Sequence, residues 1–288
     1  MSRNSNKLNR QPDDLPEKEE LQKNDTNQRS PDNPFGLSFV VPTEDVMLPT
    51  EGRYYPSSSP LHGLRTVEIK HMTAKEEDLL SNLEATNDQN IFNRLINGIL
   101  TDKQVRSEDM LEEDKMAILL KARSTGYGNK YEAKMYCSAC EKTASHEFDL
   151  DICEIKEAEN KAEYDPENDC FTVELPMSKI KVSLRSLTDK DKEQIEKEKK
   201  KKKDLDIEFN ATISMINRMM ISANDIKDRL ALSKLADILP AVDAKKIINF
   251  DKGIYPSLST KQEIACSACG EKSESEAPLT WAFFRTDI

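Results

Sequence analysis

The chain of 288 residues is short of the residues on which most catalytic and cofactor-binding folds depend. It holds eight glycines, three histidines and one tryptophan. So few glycines argue against a Gly-rich phosphate cradle, whose backbone must approach its ligand where a side chain would clash. His62, His71 and His146 are scattered, and none stands beside a Ser or Cys in a way that suggests a triad. No G-x-x-x-x-G-K-[ST], H-E-x-x-H or G-x-S-x-G pattern is present. No apolar run approaches the ~20 residues of a bilayer-spanning helix. The opening MSRNSNKLNRQ has no apolar stretch behind its basic residues, so a secretory leader is not expected. A cationic surplus is missing too: 53 acids face 42 Lys and Arg, for a net charge of −11. General phosphate-backbone binders need that surplus, because counterion release supplies their affinity. What remains is a soluble, intracellular, acidic protein without catalytic motifs, long enough for one large domain or two modest ones.

Residues 1–34 carry intermixed charge, Asn, Gln and Pro, with only three leucines as large aliphatics. Too little apolar surface is available there to offset backbone entropy, so a disordered tail is expected. From Phe35, PFGLSFVVP reads as an extended stretch. LPTEGRYYPSSSP follows as a Pro/Gly/Ser loop, whose Tyr54 and Tyr55 either cover the core or form a partner-docking arm. LRTVEIKHM suggests a short strand, and Thr73 with Glu76 is a capping-box pattern opening a helix. Further helices are expected over about 89–100 and 109–124, the second stopped by Gly126.

Period-2 segments follow: KYEAKMY, TASHEFDLDI and FTVELPMSKIKVSL, with Pro176-Met177-Ser178-Lys179 as a hairpin turn. Between Asp189 and Asp204 stand eight lysines and six acids. Such a mixture favours a solvated helix or tether over a nucleic-acid contact, although Lys199–Lys203 leaves the latter open. Helical spacing returns with Ile213, Ile216, Met219 and Met220, then Ile226, Leu230, Leu235, Ile238 and Leu239, then Ile247, Ile248 and Phe250. Methionine at this spacing reads as core filler.

The six cysteines carry the most specific signal. YEAKMYCSACEKTASHEFDL and STKQEIACSACGEKSESEAPL each run strand, Cys-Ser-Ala-Cys, polar turn, strand. A CxxC at a hairpin tip is a zinc knuckle, and two facing knuckles supply the four thiolates of a closed structural site. Cys137, Cys140, Cys266 and Cys269 are therefore the candidate metal ligands, with structural zinc as the expected cofactor. The 125 residues from Glu141 through Ala265 make the spacing far longer than that of a compact ribbon. A local set of Cys137, Cys140, His146 and Cys153, and reduced thiols without metal, stay open beside the shared site. A redox CxxC fits worse, since thioredoxin-like motifs open a helix in a βαβ unit. Residues 131–154 hold two lysines against six acids, and 259–288 three basic residues against five acids. That acidic collar repels phosphate and favours a clasp over a nucleic-acid reader.

The expected fold class is α+β, with helical modules combined with a small antiparallel β zinc-ribbon-like module built from the two CxxC knuckles. Its parts are a disordered tail over 1–34, an extended arm and short strand over 35–72, and a helical module over 73–128. A β module with the first knuckle follows over 129–188, then a charged linker or helix over 189–204. A helical insertion over 205–255 precedes the second knuckle and C-terminal strand over 256–288.

The ordered series LPTEGRYYP, HMTAKEEDLL, DKMAILLKARSTGYGNKY running into YCSAC, and ACSACG with LTWAFFR resembles the T4-type bacteriophage baseplate hub assembly family. The resemblance covers roughly 40–150 and, more loosely, 205–288. It implies a non-enzymatic, late-expressed tail-morphogenesis protein: a minor hub component of the virion, or an assembly chaperone absent from the finished particle. It implies no catalytic residues. Implied partners are other baseplate hub or tape-measure proteins, with no membrane, met through the helical modules and Tyr54/Tyr55. The implied location is the host cytoplasm during assembly or the virion baseplate. The runner-up reading is a zinc-ribbon nucleic-acid-associated factor using lysines 199–203.

Overall fold

A computed structural model describes residues 41–81, 90–160, 162–278 and 281–284. The tail expected over 1–34 and the stretch from Phe35 to Val40 lie outside the described residues. Seven α-helices and twelve strands are described, and every strand pairing among them is antiparallel.

The first layer pairs β1 (Thr43–Met47) with β2 (Thr66–Lys70), where Val67 and Ile69 face inward between exposed Thr66 and Glu68. Helix α1 (Ala74–Ser81) opens where the Thr73 backbone N–H and hydroxyl both donate to the Glu76 carboxylate. Helix α2 (Ile91–Ile99) buries Ile91, Leu95, Ile96 and Ile99 at 3–4 spacing. Helix α3 (Glu112–Tyr127) starts with three acids against its dipole and runs past Gly126, the expected stop, to Gly128. The reason is local. Gly128 has φ +84° and ψ 169°, a region essentially reserved for glycine that turns the chain out of the helix, whereas a Cβ on Gly126 would come within 2.5 Å of Met72 Cε. Gly126 lies under the flexible end of Met72, and Gly128 ends the helix.

Two hairpins and a short pairing follow: β3 (Lys130–Cys137) with β4 (Lys142–Asp149), and β5 (Glu154–Lys156) with β10 (Ser257–Ser259). The last hairpin, β11 (Lys261–Ala265) with β12 (Lys272–Glu276), comes from the end of the chain. Its Ile264, with Ala277, Phe283 and Phe284, joins the first core around Leu48, Ile69, Leu95, Ile118 and Phe148. Buried Arg123 ties the end down. Its guanidinium donates to the carbonyls of Phe283 (2.9 Å) and Gly128 (2.9 Å) and lies over the Tyr127 and Phe283 rings.

The second core forms between a four-stranded sheet and three helices. Strands β6 (Tyr164–Asp165), β7 (Cys170–Glu174), β8 (Lys181–Leu184) and β9 (Met220–Ala223) lie in that order. The β7–β8 turn is the expected Pro176–Lys179, with Lys179 at φ +59°. Asp243 clamps it by accepting the N–H groups of Met177 (2.8 Å) and Ser178 (2.9 Å). Helix α4 (Asp189–Asp204) spans the charged stretch and is closed at its start by a Thr188–Asp191 capping box. Helix α5 (Ala211–Met219) ends one residue before Met220, which enters β9 instead of continuing the helix. Helices α6 (Arg229–Ile238) and α7 (Ala241–Ile248) complete the layer. The expected inward stripe of α6 is rotated: Leu232 and Ala236 are buried, while Ile226, Leu230 and Ile238 are exposed. Leu232 and Ala236, four apart, form the inner stripe that the larger residues had obscured.

A charged joint spans the two cores. Asp189, at the start of α4, accepts from Lys115 Nζ of α3 at 2.6 Å and from Asn93 Nδ2 of α2 at 2.7 Å. These donors outweigh desolvation and hold its carboxyl below the usual range. Nearby Glu113 behaves oppositely. Burial, with Asp114, Glu112 and Asp251 around it, pushes it up to about 7 against the pull of a backbone N–H. A carboxyl whose folded pKa exceeds its unfolded value is a cost at high pH, and that cost disappears as pH falls and the folded state takes up the proton first. Glu113→Gln should therefore raise stability by roughly 1–3 kcal/mol at pH 8, a gain shrinking severalfold by pH 5. Denaturation at both pH values checks it; an equal effect at both contradicts the assignment.

Candidate metal centre

The two Cys-Ser-Ala-Cys turns are built alike. In β3–β4 the register closes at Cys137 opposite Lys142, and the Glu141 N–H donates to the Cys137 carbonyl at 2.9 Å. In β11–β12 the Gly270 N–H donates to the Cys266 carbonyl at 2.8 Å, and the Cys266 N–H to the Glu271 carbonyl at 2.8 Å. The residue after the second cysteine returns each chain through the left-handed region, Glu141 at φ +55° and Gly270 at φ +76°. Folding the chain this tightly brings both sulfurs of each turn to one side.

Three contacts set the turns against each other. Asp149 of β4 donates its N–H to Gln262 Oε1 of β11 at 2.9 Å, and Gln262 Nε2 donates back to the Asp149 carbonyl. The β5–β10 ladder pairs Ile155 with Leu258 just before β11. Tyr131 of β3 donates its hydroxyl to the Pro278 carbonyl at 3.0 Å, its ring 5.0 Å from that of Phe283.

The sulfurs meet across the two turns. Cys137 Sγ lies 3.9 Å from Cys269 Sγ, and Cys140 Sγ lies 3.9 Å from Cys266 Sγ. All four fall within 4.8 Å of one another. A regular tetrahedron of Zn–S bonds of about 2.3 Å has an S···S edge of about 3.8 Å, so the cluster has the size of a four-thiolate cage. The donor chemistry agrees: the set is all sulfur, fed by backbone N–H groups. The N–H of Ala268, followed by that of Cys269, pulls the Cys266 thiol down to about 7. Cys269 is pushed up to about 12: the Glu271 N–H opposes this rise, but desolvation and the three neighbouring sulfurs outweigh it.

The local alternative set is corrected by this geometry. The second CxxC, not His146 and Cys153, completes the cluster around Cys137 and Cys140. His146 is buried on β4 opposite Ala133, with Nδ1 unpartnered, and Cys153 packs against the first core. Of the two readings of Tyr54 and Tyr55, the structure describes the packing side. Tyr55 is 3% exposed, donates to Asp114 Oδ2 at 2.7 Å and accepts the Leu111 N–H at 2.9 Å. Tyr54 is half-buried among Tyr164, Phe171 and Tyr255. The Tyr55 hydroxyl is fully engaged within the fold, and the Tyr54 ring packs against three other rings. Gln262, Tyr131 and Arg123, which hold the two ends together, carried no sequence signal: each is an ordinary polar residue until its distant carbonyl partner is known.

The family model described as T4 bacteriophage base plate protein matches residues 47–285, the charged helix α4 included. No curated protein and no solved structure matches the chain.

Gly270 gives the site a direct test. Its positive φ is relaxed in glycine, while a β-branched residue there costs about 1–2 kcal/mol. Gly270→Val should lower the melting temperature accordingly, and equal substitution at exposed Lys272 should not. A neutral Gly270→Val would contradict the described turn.

Proposed function

The chain belongs to the T4 bacteriophage base plate protein family, and from that membership we propose that it is a non-enzymatic tail-morphogenesis protein, acting as a baseplate hub component or hub assembly chaperone. Its partners are other hub or tape-measure proteins. Its four-cysteine cluster holds one structural zinc ion through Cys137, Cys140, Cys266 and Cys269. The carrying observation is the clustering of four sulfurs from two hairpin turns separated by 125 residues within the matched region, in a protein whose sequence carries no catalytic motif. A site filled by four thiolates has no open position for substrate or water, so its metal stabilises structure. Among the described residues no helix is long and apolar enough to cross a membrane, and the reading places the protein with the baseplate during assembly, or within the virion.

The nucleic-acid alternative gains one feature: Lys200, Lys201 and Lys203 have no carboxylate within ion-pair reach among the described residues. Asp204, Asp206 and Glu208 crowd the same end, and a phosphate backbone would meet them together with the lysines. The alternative is the weaker reading.

Two measurements test the proposal. Elemental analysis of purified protein should give one zinc per chain, and chelation should lower the melting temperature steeply, since metal binding worth on the order of 10 kcal/mol is felt as folding energy. Fully folded protein with far less than one zinc would sink the metal claim. Co-expression with the remaining hub proteins should yield a co-purifying complex; a persistently solitary chain would count against the hub role.

A further inference from the structure

A cavity of about 550 Å³ opens at the seam of the two cores, within the roughly 300–1,000 Å³ typical of ligand-holding clefts. Four helices and the chain's last described turn wall it. Phe92 and Ile96 come from α2, Met116 and Leu119 from α3, Ile195 from α4 and Met215 from α5, with Phe283 and Phe284 closing one end. Its walls are mainly aliphatic and aromatic. At its edge lies the Asp189–Lys115 pair, whose charges are already matched. A groove between helices with apolar walls is the geometry that receives the apolar ridge of another helix.

The charge at the mouth selects the occupant. Glu112, Asp189, Glu193 and Glu196 line it, against Lys115 and Lys192. Both lysines are engaged, Lys115 with Asp189 and Lys192 with Glu112. Among the described residues, Glu193 and Glu196 are paired only with Lys197 and Lys199 of their own helix, at side-chain exposures of 55% and 51%. Exposed pairs at this spacing contribute little to stability, so an incoming cation displaces them readily. The mouth therefore carries unspent negative charge beside apolar walls.

We infer that this groove binds an amphipathic helix of a protein partner, one whose apolar stripe is flanked by Lys or Arg. The inference rests on reading the chain as a binding protein; it does not depend on the zinc or on which hub protein is met. An acidic amphipathic helix is excluded by the mouth, and a second copy of this acidic chain is an alternative occupant that the test separates.

The probe is a fluorescein-labelled 16-residue helical peptide with Leu at i, i+3, i+4 and i+7 and Lys elsewhere, beside a twin with Glu in place of Lys. Anisotropy at about 0.15 M salt, where long-range attraction is screened beyond ~8 Å, should show saturable binding of the Lys peptide, at least tenfold tighter than its twin. Met215→Trp, which fills the groove, should weaken binding tenfold or more. The exposed pair Glu193→Lys with Glu196→Lys should reverse the preference between the twins, and circular dichroism should show both variants folded. Lys200→Glu with Lys201→Glu, away from the groove, should change nothing. No saturable binding overturns the inference, as does binding indifferent to the groove variants, which would reflect only attraction to a chain of net −11. A dimer in sedimentation that Met215→Trp dissociates would place a second copy in the groove and overturn it too. Hub co-purification is a separate readout, so failure of one is distinguishable from failure of the other.

Discussion

The structure depends on one closure: the end of the chain must return to a hairpin more than a hundred residues earlier. Everything between β4 and β11 is a long excursion whose ends must stay together, and the entropy of closing such a loop grows only with the logarithm of its length. Protein contacts begin the closure, through the Gln262–Asp149 exchange, the β5–β10 ladder and the Arg123 and Tyr131 ties to the terminal carbonyls. The four sulfurs stand where those contacts leave them, at the exposed tip of both hairpins. Neither two-stranded hairpin is expected to be stable alone. A metal at their shared tip would add stability where the protein has the least packing to offer.

The second core hangs on this clasp but has its own logic. Its sheet and helices bury Phe171, Leu175, Val182, Leu184, Ile216 and Ile247 with no part taken by the four clustered cysteines. It meets the first core across a seam that is polar where it is tight, around Lys115, Asp189 and Asn93, and open where it is apolar, at the cleft. A seam of this kind resists sliding through a few directional bonds and still leaves surface for a partner.

What the sequence disclosed follows from how local each signal is. The two CSAC turns were legible because hairpin, turn and ligand all lie within about ten residues, and the turn at Pro176–Lys179 was legible for the same reason. Helices α2 and α3 announced themselves by periodicity, with α3 displaced by three residues because two glycines two apart serve different purposes. The burial of Tyr55 was hidden, since its partner Asp114 lies 59 residues away. The face of α6 was misread because its largest side chains point outward and its inner stripe is only Leu232 and Ala236. Strand β9 was absorbed into the preceding helix, as Met219 and Met220 fit either period. Pairings such as β5 with β10 join short polar segments about a hundred residues apart and leave no mark on either one.

The central claim is that two hairpin turns separated by 125 residues are closed by one shared metal. Zinc K-edge X-ray absorption on the purified full chain measures this most directly. The account predicts a single zinc shell of four sulfurs at about 2.3 Å, lost together when either Cys137 or Cys269 is replaced by serine. A shell containing nitrogen or oxygen in the intact protein, or a sulfur shell that survives replacement of Cys269, would contradict it.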